Sequence, residues 1–180
     1  YLVNTPHFVS CSQDSYLDKY DMIGGLRNNG TFLLNTIEDA EGVLNILPNS
    51  VKKQLATKNA KFYIIDAVHL ANKIGLGKRI NTIMQAAFFK LNEQIIPFAE
   101  AQDLMKKYNK KAYERKGAEI VEMNNQAVDH GAEGIIQVTV DPAWANLEVE
   151  VKAVDANRPD YVKNIADPVG LIKGYDLPVS

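Results

Sequence analysis

Apolar positions come in two rhythms along this chain, continuous runs early and a 3.6-residue spacing later. Phe8-Val9-Ser10 is a short apolar run closing on a Ser/Gln/Asp cluster, the layout of a strand that feeds a loop. Thr31-Phe32-Leu33-Leu34 and Lys61-Phe62-Tyr63-Ile64-Ile65-Asp66 are unbroken, which predicts strands covered on both faces. Between the first two runs, Ser15 and Asp18 stand as a capping box. Leu17, Tyr20, Met22 and Ile23 then supply a helix's apolar side, and Asn28-Asn29-Gly30 its stop. Thr36 and Asp39 predict a second, short helix that ends at Pro48, and a further helix begins near Ser50.

Beyond Asp66 the helical rhythm takes over. A helix leads into the loop Gly75-Leu76-Gly77-Lys78-Arg79, and Ile80, Ile83, Met84, Ala87, Phe88 and Leu91 then form one apolar face. Pro97 opens a helix continued by Leu104, Tyr108 and Ala112, and Gly117 interrupts it. A last helix carries Ile120, Met123, Ala127 and Val128 and stops at Asp129-His130-Gly131. After Val140 the character changes. Asp141-Pro142-Ala143-Trp144 reads as a turn and Asn146 to Val151 alternates like a strand, while Arg158-Pro159-Asp160, Asp167-Pro168 and Gly174 break every period.

Strands alternating with helices predict an α/β fold, a three-layer Rossmann-like parallel sheet flanked by helices, with an irregular C-terminal extension. Ligands on such sheets bind beyond the carboxyl ends of the strands, where Asp66 and its loop lie.

Composition narrows the classes. At 180 residues, 46% hydrophobic and 23% charged, the chain has the makings of one ordinary globular domain. A net charge of -2 argues against a nucleic-acid binder, and no apolar run reaches membrane-spanning length. The single cysteine, Cys11, excludes an internal disulfide framework and fits a reducing cytoplasm. The chain starts on Tyr1 and stops at Ser180 without capping elements, so an excised piece of a longer polypeptide is expected.

The chemistry worth weighing lies in the 75–82 loop. A helix start exposes free N–H groups and the positive end of the helix dipole, and Lys78 and Arg79 stand beside it, so the junction suits an anion. The competing reading is a solvated loop whose Asn81 caps the helix. His7, His69 and His130 lack partners at metal-ligand spacing, and Cys11 has no adjacent base. The basic run Lys106, Lys107, Lys110, Lys111, Arg115 and Lys116 reads as a solvated surface. No cysteine ladder, Gly-x-Ser-x-Gly elbow or Gly-Asp-Gly opening occurs, so no catalytic residue and no metal ligand is assigned.

Several blocks carry a resemblance. Thr5-Pro6-His7-Phe8-Val9-Ser10-Cys11, Gly30-Thr31-Phe32-Leu33-Leu34-Asn35-Thr36 and Lys61-Phe62-Tyr63-Ile64-Ile65-Asp66-Ala67 occur in order. Gly75 to Phe89 and Asn124-Asn125-Gln126-Ala127-Val128-Asp129 follow. Together they resemble the gamma-type domain of the pyruvate:ferredoxin (flavodoxin) oxidoreductases, over roughly residues 1–140. Residues 141–180 resemble the connector toward that family's iron–sulfur domain.

The resemblance implies an enzyme that converts pyruvate and coenzyme A to acetyl-CoA and CO2 and passes electrons to ferredoxin or flavodoxin. It further implies thiamine diphosphate, Mg and [4Fe-4S] clusters held by other domains of the same polypeptide, none of them in this segment, in a cytoplasmic homodimer. On this view Gly77, Lys78, Arg79 and Asn81 help to seat coenzyme A. The family's glycine-rich opening, Gly-Thr-Val-Gly-Ala-Asn-Lys, is not in the chain, which leaves the sheet short of its first strands and independent coenzyme binding open. The alternative is a purely structural module between domains, without ligand contact. A free-standing Rossmann nucleotide binder would need a phosphate fingerprint and an acidic ribose partner, and neither is assembled.

Overall fold

A computed structural model describes residues 3–149 and 159–170. Three strands, β1 (Phe8–Cys11), β2 (Thr31–Asn35) and β3 (Lys61–Ile65), run parallel side by side, and β4 (Ile136–Val138) closes the sheet against β3. β4 is antiparallel, pairing Phe62 with Val138 and Ile64 with Ile136. The sheet is therefore mixed, with a parallel majority, where the sequence predicted parallel strands alone. Three residues are too few to display a period of two, so β4 left no readable trace.

Both faces of the parallel strands are covered, as their unbroken apolar runs predicted. Phe32, Leu34, Phe62 and Ile64 point to one side, where they meet α1 (Val43–Ile46), α2 (Asn49–Thr57) and the loop residues Leu17, Ile23 and Leu26. Phe32 and Phe62 are register partners and their rings stack with centroids 5.6 Å apart. Leu33 and Ile65 point to the other side, against α3 (Ala67–Lys73), α4 (Asn81–Leu91) and α6 (Ala118–Glu133). These are the three expected layers. α5 (Phe98–Tyr113) lies outside them, packed on α4 and α6 through Met105, Ala86 and Val128.

Several local expectations change. Residues 15–23 do not form an α-helix. A single 3-10 turn, Asp14–Tyr16, is followed by turns, because Gly24 and Gly25 arrive before a helix could gain enough bonds to offset its nucleation. Leu17, Ile23 and Leu26 are buried all the same. Asn29 does adopt the left-handed conformation, at φ 59, but it prepares β2 rather than ending a helix. Asp39 caps from an Asx turn, its Oδ1 accepting from the amides of Glu41 and Gly42, and α1 starts only at Val43. Pro97 is the residue before α5 rather than its first, and Gly117 separates α5 from α6 at φ 111. α6 runs on to Glu133, past the predicted stop at Gly131, because that glycine faces a neighbouring helix instead of a turn.

The segment after Val140 is tied down. Asp141 caps the 3-10 turn Pro142–Asn146, and Trp144 packs on the core side of α2. Lys53 Nζ donates to the Leu147 carbonyl (3.1 Å) and Asn49 Nδ2 to that of Glu148 (3.4 Å). Asn146 belongs to that turn and 147–149 are not strand, so the predicted alternation fails there. Residues 150 and 151 lie outside the described residues, as does Gly174. Farther on, a π-helical turn, Val162–Ala166, runs into α7 (Asp167–Gly170), where the sequence predicted irregular chain. Pro168 has no N–H to bond backwards, and the turn ahead of it is the widened π form.

Candidate ligand site at the carboxyl edge of the sheet

The loops leaving β1, β2 and β3 all emerge at one edge, and one residue laces them together. Asn35, the last residue of β2, is buried. Its Nδ2 donates to the Ser12 carbonyl (3.0 Å) after β1, and its Oδ1 accepts from the Ala67 amide (2.9 Å) after β3. Thr36 continues the lacing. Its amide donates to the Ile65 carbonyl (3.0 Å), and its hydroxyl lies 3.4 Å from Asp14 Oδ2. Asp66 caps α3, with Oδ1 accepting from the His69 amide (2.8 Å).

Above these residues lies an open cavity of about 550 Å³. Ser12, Gln13, Asp14 and Tyr16 line it from the first loop, Asn35, Thr36 and Ile37 from the second, and Asp66, Val68, Lys78 and Ile80 from the third. Its position beyond the carboxyl ends of parallel strands is where α/β sheets hold ligands.

The predicted loop residues divide at this cavity. Gly75 and Gly77 take left-handed conformations, at φ 83 and φ 61, and so reverse the chain between α3 and α4. Lys78 lines the cavity. Gly77, Arg79 and Asn81 are exposed beside it and do not line it. Neither Lys78 nor Arg79 has an ion-pair or hydrogen-bond partner among the described residues, so both cations are free to meet an anion. Asn81 does not cap α4; Ile80 occupies that position and gives the first turn no side-chain acceptor. The helix start is therefore uncapped, which removes the competing reading in the form proposed for Asn81.

Asn35, Thr36 and Asp14 were not singled out as site residues from sequence. One signal was present for Asn35, a polar residue closing a buried apolar run, where an amide must find partners at both its ends. Cys11 lies under the first loop with its thiol donating to the Gln13 carbonyl (2.9 Å). Burial pushes that thiol's pKa up from its ordinary value, with Asp14 adding to the rise, so it stays protonated and unreactive at neutral pH. His7 meets Arg27 Nη1 at 3.0 Å, and His130 Nδ1 lies 3.5 Å from Glu133. Among the described residues no three His, Cys, Asp or Glu side chains converge as metal ligands. No described helix is long and apolar enough to cross a membrane.

Comparison with known proteins gives a consistent picture. A family profile described as "Pyruvate ferredoxin/flavodoxin oxidoreductase" matches residues 1–134. The chain is 43% identical over 180 residues to the pyruvate-flavodoxin oxidoreductase of Enterobacter agglomerans. It is 39% identical over 180 residues to the pyruvate:ferredoxin oxidoreductase of Moorella thermoacetica. Both alignments take in 100% of this chain but 15% of the relative, so the chain spans about a seventh of those proteins. The crystal structure of pyruvate oxidoreductase subunit PORC from Thermotoga maritima superposes with a TM-score of 0.59. That match covers 75% of this chain and 66% of the subunit at 23% identity, a likeness of fold.

Proposed function

Because the chain belongs to the pyruvate ferredoxin/flavodoxin oxidoreductase family, we propose that it works within a larger enzyme. That enzyme oxidatively decarboxylates pyruvate, hands electrons to ferredoxin or flavodoxin, and releases acetyl-CoA. Within it, residues 1–140 form the gamma-type domain and 141–180 the connector toward the iron–sulfur domain. The whole enzyme is a cytoplasmic homodimer.

The local task of this segment is to help seat coenzyme A. The supporting observation is the cavity over three strand ends, with the unpartnered cations Lys78 and Arg79 at its side. An ammonium, a guanidinium and the uncapped amides of α4's first turn suit phosphate oxygens. Thiamine diphosphate, magnesium and [4Fe-4S] clusters do not fit the described residues, since the one cysteine is buried and no acidic or histidine cluster assembles. No step through those groups is assigned to this segment.

Replacing Lys78 and Arg79 together by Ala in the full-length enzyme tests the assignment. Loss of charge-assisted phosphate bonds is expected to raise the KM for coenzyme A by about tenfold. The KM for pyruvate should hold. Equal changes in both constants, or none in either, remove the site.

A second reading, a packing module between domains, draws on exposed apolar side chains. Ile37 (78% exposed), Ile95 (63%) and Tyr108 (68%) await cover that the rest of a much longer polypeptide would supply. Under that reading the double substitution leaves both constants unchanged.

A further inference from the structure

Resting on the coenzyme A reading, the geometry points to a division of that ligand: an uncharged, donor-bearing portion enters the cavity, while the phosphates stay outside on Lys78 and Arg79. The charges that line the cavity carry the inference. Asp14 and Asp66 contribute two carboxylates, against the single ammonium of Lys78. Only one oxygen of each carboxylate has a partner, Thr36 for Asp14 and the His69 amide for Asp66. The second oxygen of each is left to accept from whatever enters.

Ionised carboxylates accept hydrogen bonds and cannot donate them. A phosphate offers acceptors and like charge, so placing it between Asp14 and Asp66 would be repulsive. An N–H or O–H group meets the opposite circumstances. Asn35 cannot reverse the balance, because its amide is committed at both ends. Apolar walls complete the contrast: Ile37, Val68 and Ile80 share the lining, and Ile37 stands 78% exposed at the rim. The cavity thus offers acceptors and apolar surface together, and the free cations lie on the α4 side of it.

Coenzyme A has two uncharged portions with that chemistry, the adenine base and the pantetheine arm. Each carries N–H donors and apolar surface. Either one fits, provided the phosphates reach the loop.

The test is a sign. In the full-length enzyme, calorimetric titration of coenzyme A is compared between the native protein, Asp14→Asn and Ile37→Lys. Where a donor meets Asp14, neutralising the carboxylate weakens binding, by about tenfold for the lost charged hydrogen bond. Where a phosphate lies there, the same change relieves repulsion and tightens binding. Ile37→Lys repeats the comparison on an exposed side chain whose replacement leaves the core untouched. Weaker binding by both variants upholds the inference; tighter or unchanged binding by either overturns it.

Competition by adenosine and by pantetheine separates the two sources. The one whose competition Ile37→Lys weakens occupies the cavity, and weakening of neither overturns the inference. Failure of the underlying reading looks different. Unchanged coenzyme A affinity after replacing Lys78 and Arg79 removes the seat altogether. Weakened affinity there, together with tighter binding by Asp14→Asn, removes only the orientation.

Discussion

Asn35 carries more of the site's architecture than any charged residue near it. Its side chain joins the loops after β1 and β3 to the end of β2, so the cavity's three walls keep their spacing through one amide. Truncation to Ala would strand the Ala67 amide and the Ser12 carbonyl in a partly dry setting. Leaving buried polar groups unpaired costs about 1–3 kcal/mol. Asn35→Ala should therefore lower the urea midpoint of unfolding by that much stability and weaken coenzyme A binding, although Asn35 need not touch the ligand. An unchanged midpoint would show that water takes over both bonds. At this scale the sequence was legible for residue types and silent about partners. Lys78 could be picked out because a cation beside glycines at a helix start has few structural uses. Asp14 could not, because its neighbour Thr36 is distant along the chain and is reached only through the pairing of β1 with β2.

Elements were legible where one physical signal dominated. β1, β2 and β3 showed in their apolar runs, and α4 in its unbroken face, because burial on one or both sides dictates which residues the chain can use there. The elements that escaped notice lacked such a signal. β4 has only three residues, and the helix expected over 15–23 gave way to turns although its apolar residues are buried as a helix's would be. Gly131 shows how a local rule can be overridden by packing. The sequence marks it as a helix stop, yet it sits inside α6 at the crossing with α4, where an added Cβ would come 2.5 Å from the Ile83 carbonyl and 3.0 Å from Ala86 Cβ. Gly131→Ala should therefore destabilise by about 1–3 kcal/mol through overpacking, despite alanine's better helix propensity. Gly77→Asn is the contrasting case. Gly77 has φ 61 with nothing near its missing Cβ, and asparagine tolerates that conformation, so the same urea titration should show a smaller loss. Reversal of that order would mean that α6 can shift away from α4 without penalty.

At the scale of the whole molecule, the chain is one layered body with a strap. The two sheet faces are sealed by separate apolar clusters, and the segment from Asp141 to Val149 crosses α2 on the side where Phe32 and Phe62 stack. Its hold consists of Trp144 against the core cluster, Lys52 over the indole ring at 5.8 Å, and the two bonds from Lys53 and Asn49 to strap carbonyls. The bonds are partly or fully exposed, and exposed hydrogen bonds add little, so the buried part of the indole is the main tether. A tether of that kind makes the strap part of the cooperative unit rather than a separately fraying end. Trp144 is the sole tryptophan, so its fluorescence reports the strap and nothing else, while far-ultraviolet circular dichroism reports the helices and sheet. In a urea titration of the 180-residue chain the two signals should fall along one transition, the mark of two-state unfolding. A fluorescence change completed at lower urea than the loss of dichroism would mean that the strap peels from α2 first. The connector role proposed for residues 141–180 would then begin on the surface of α2, ahead of any iron–sulfur domain.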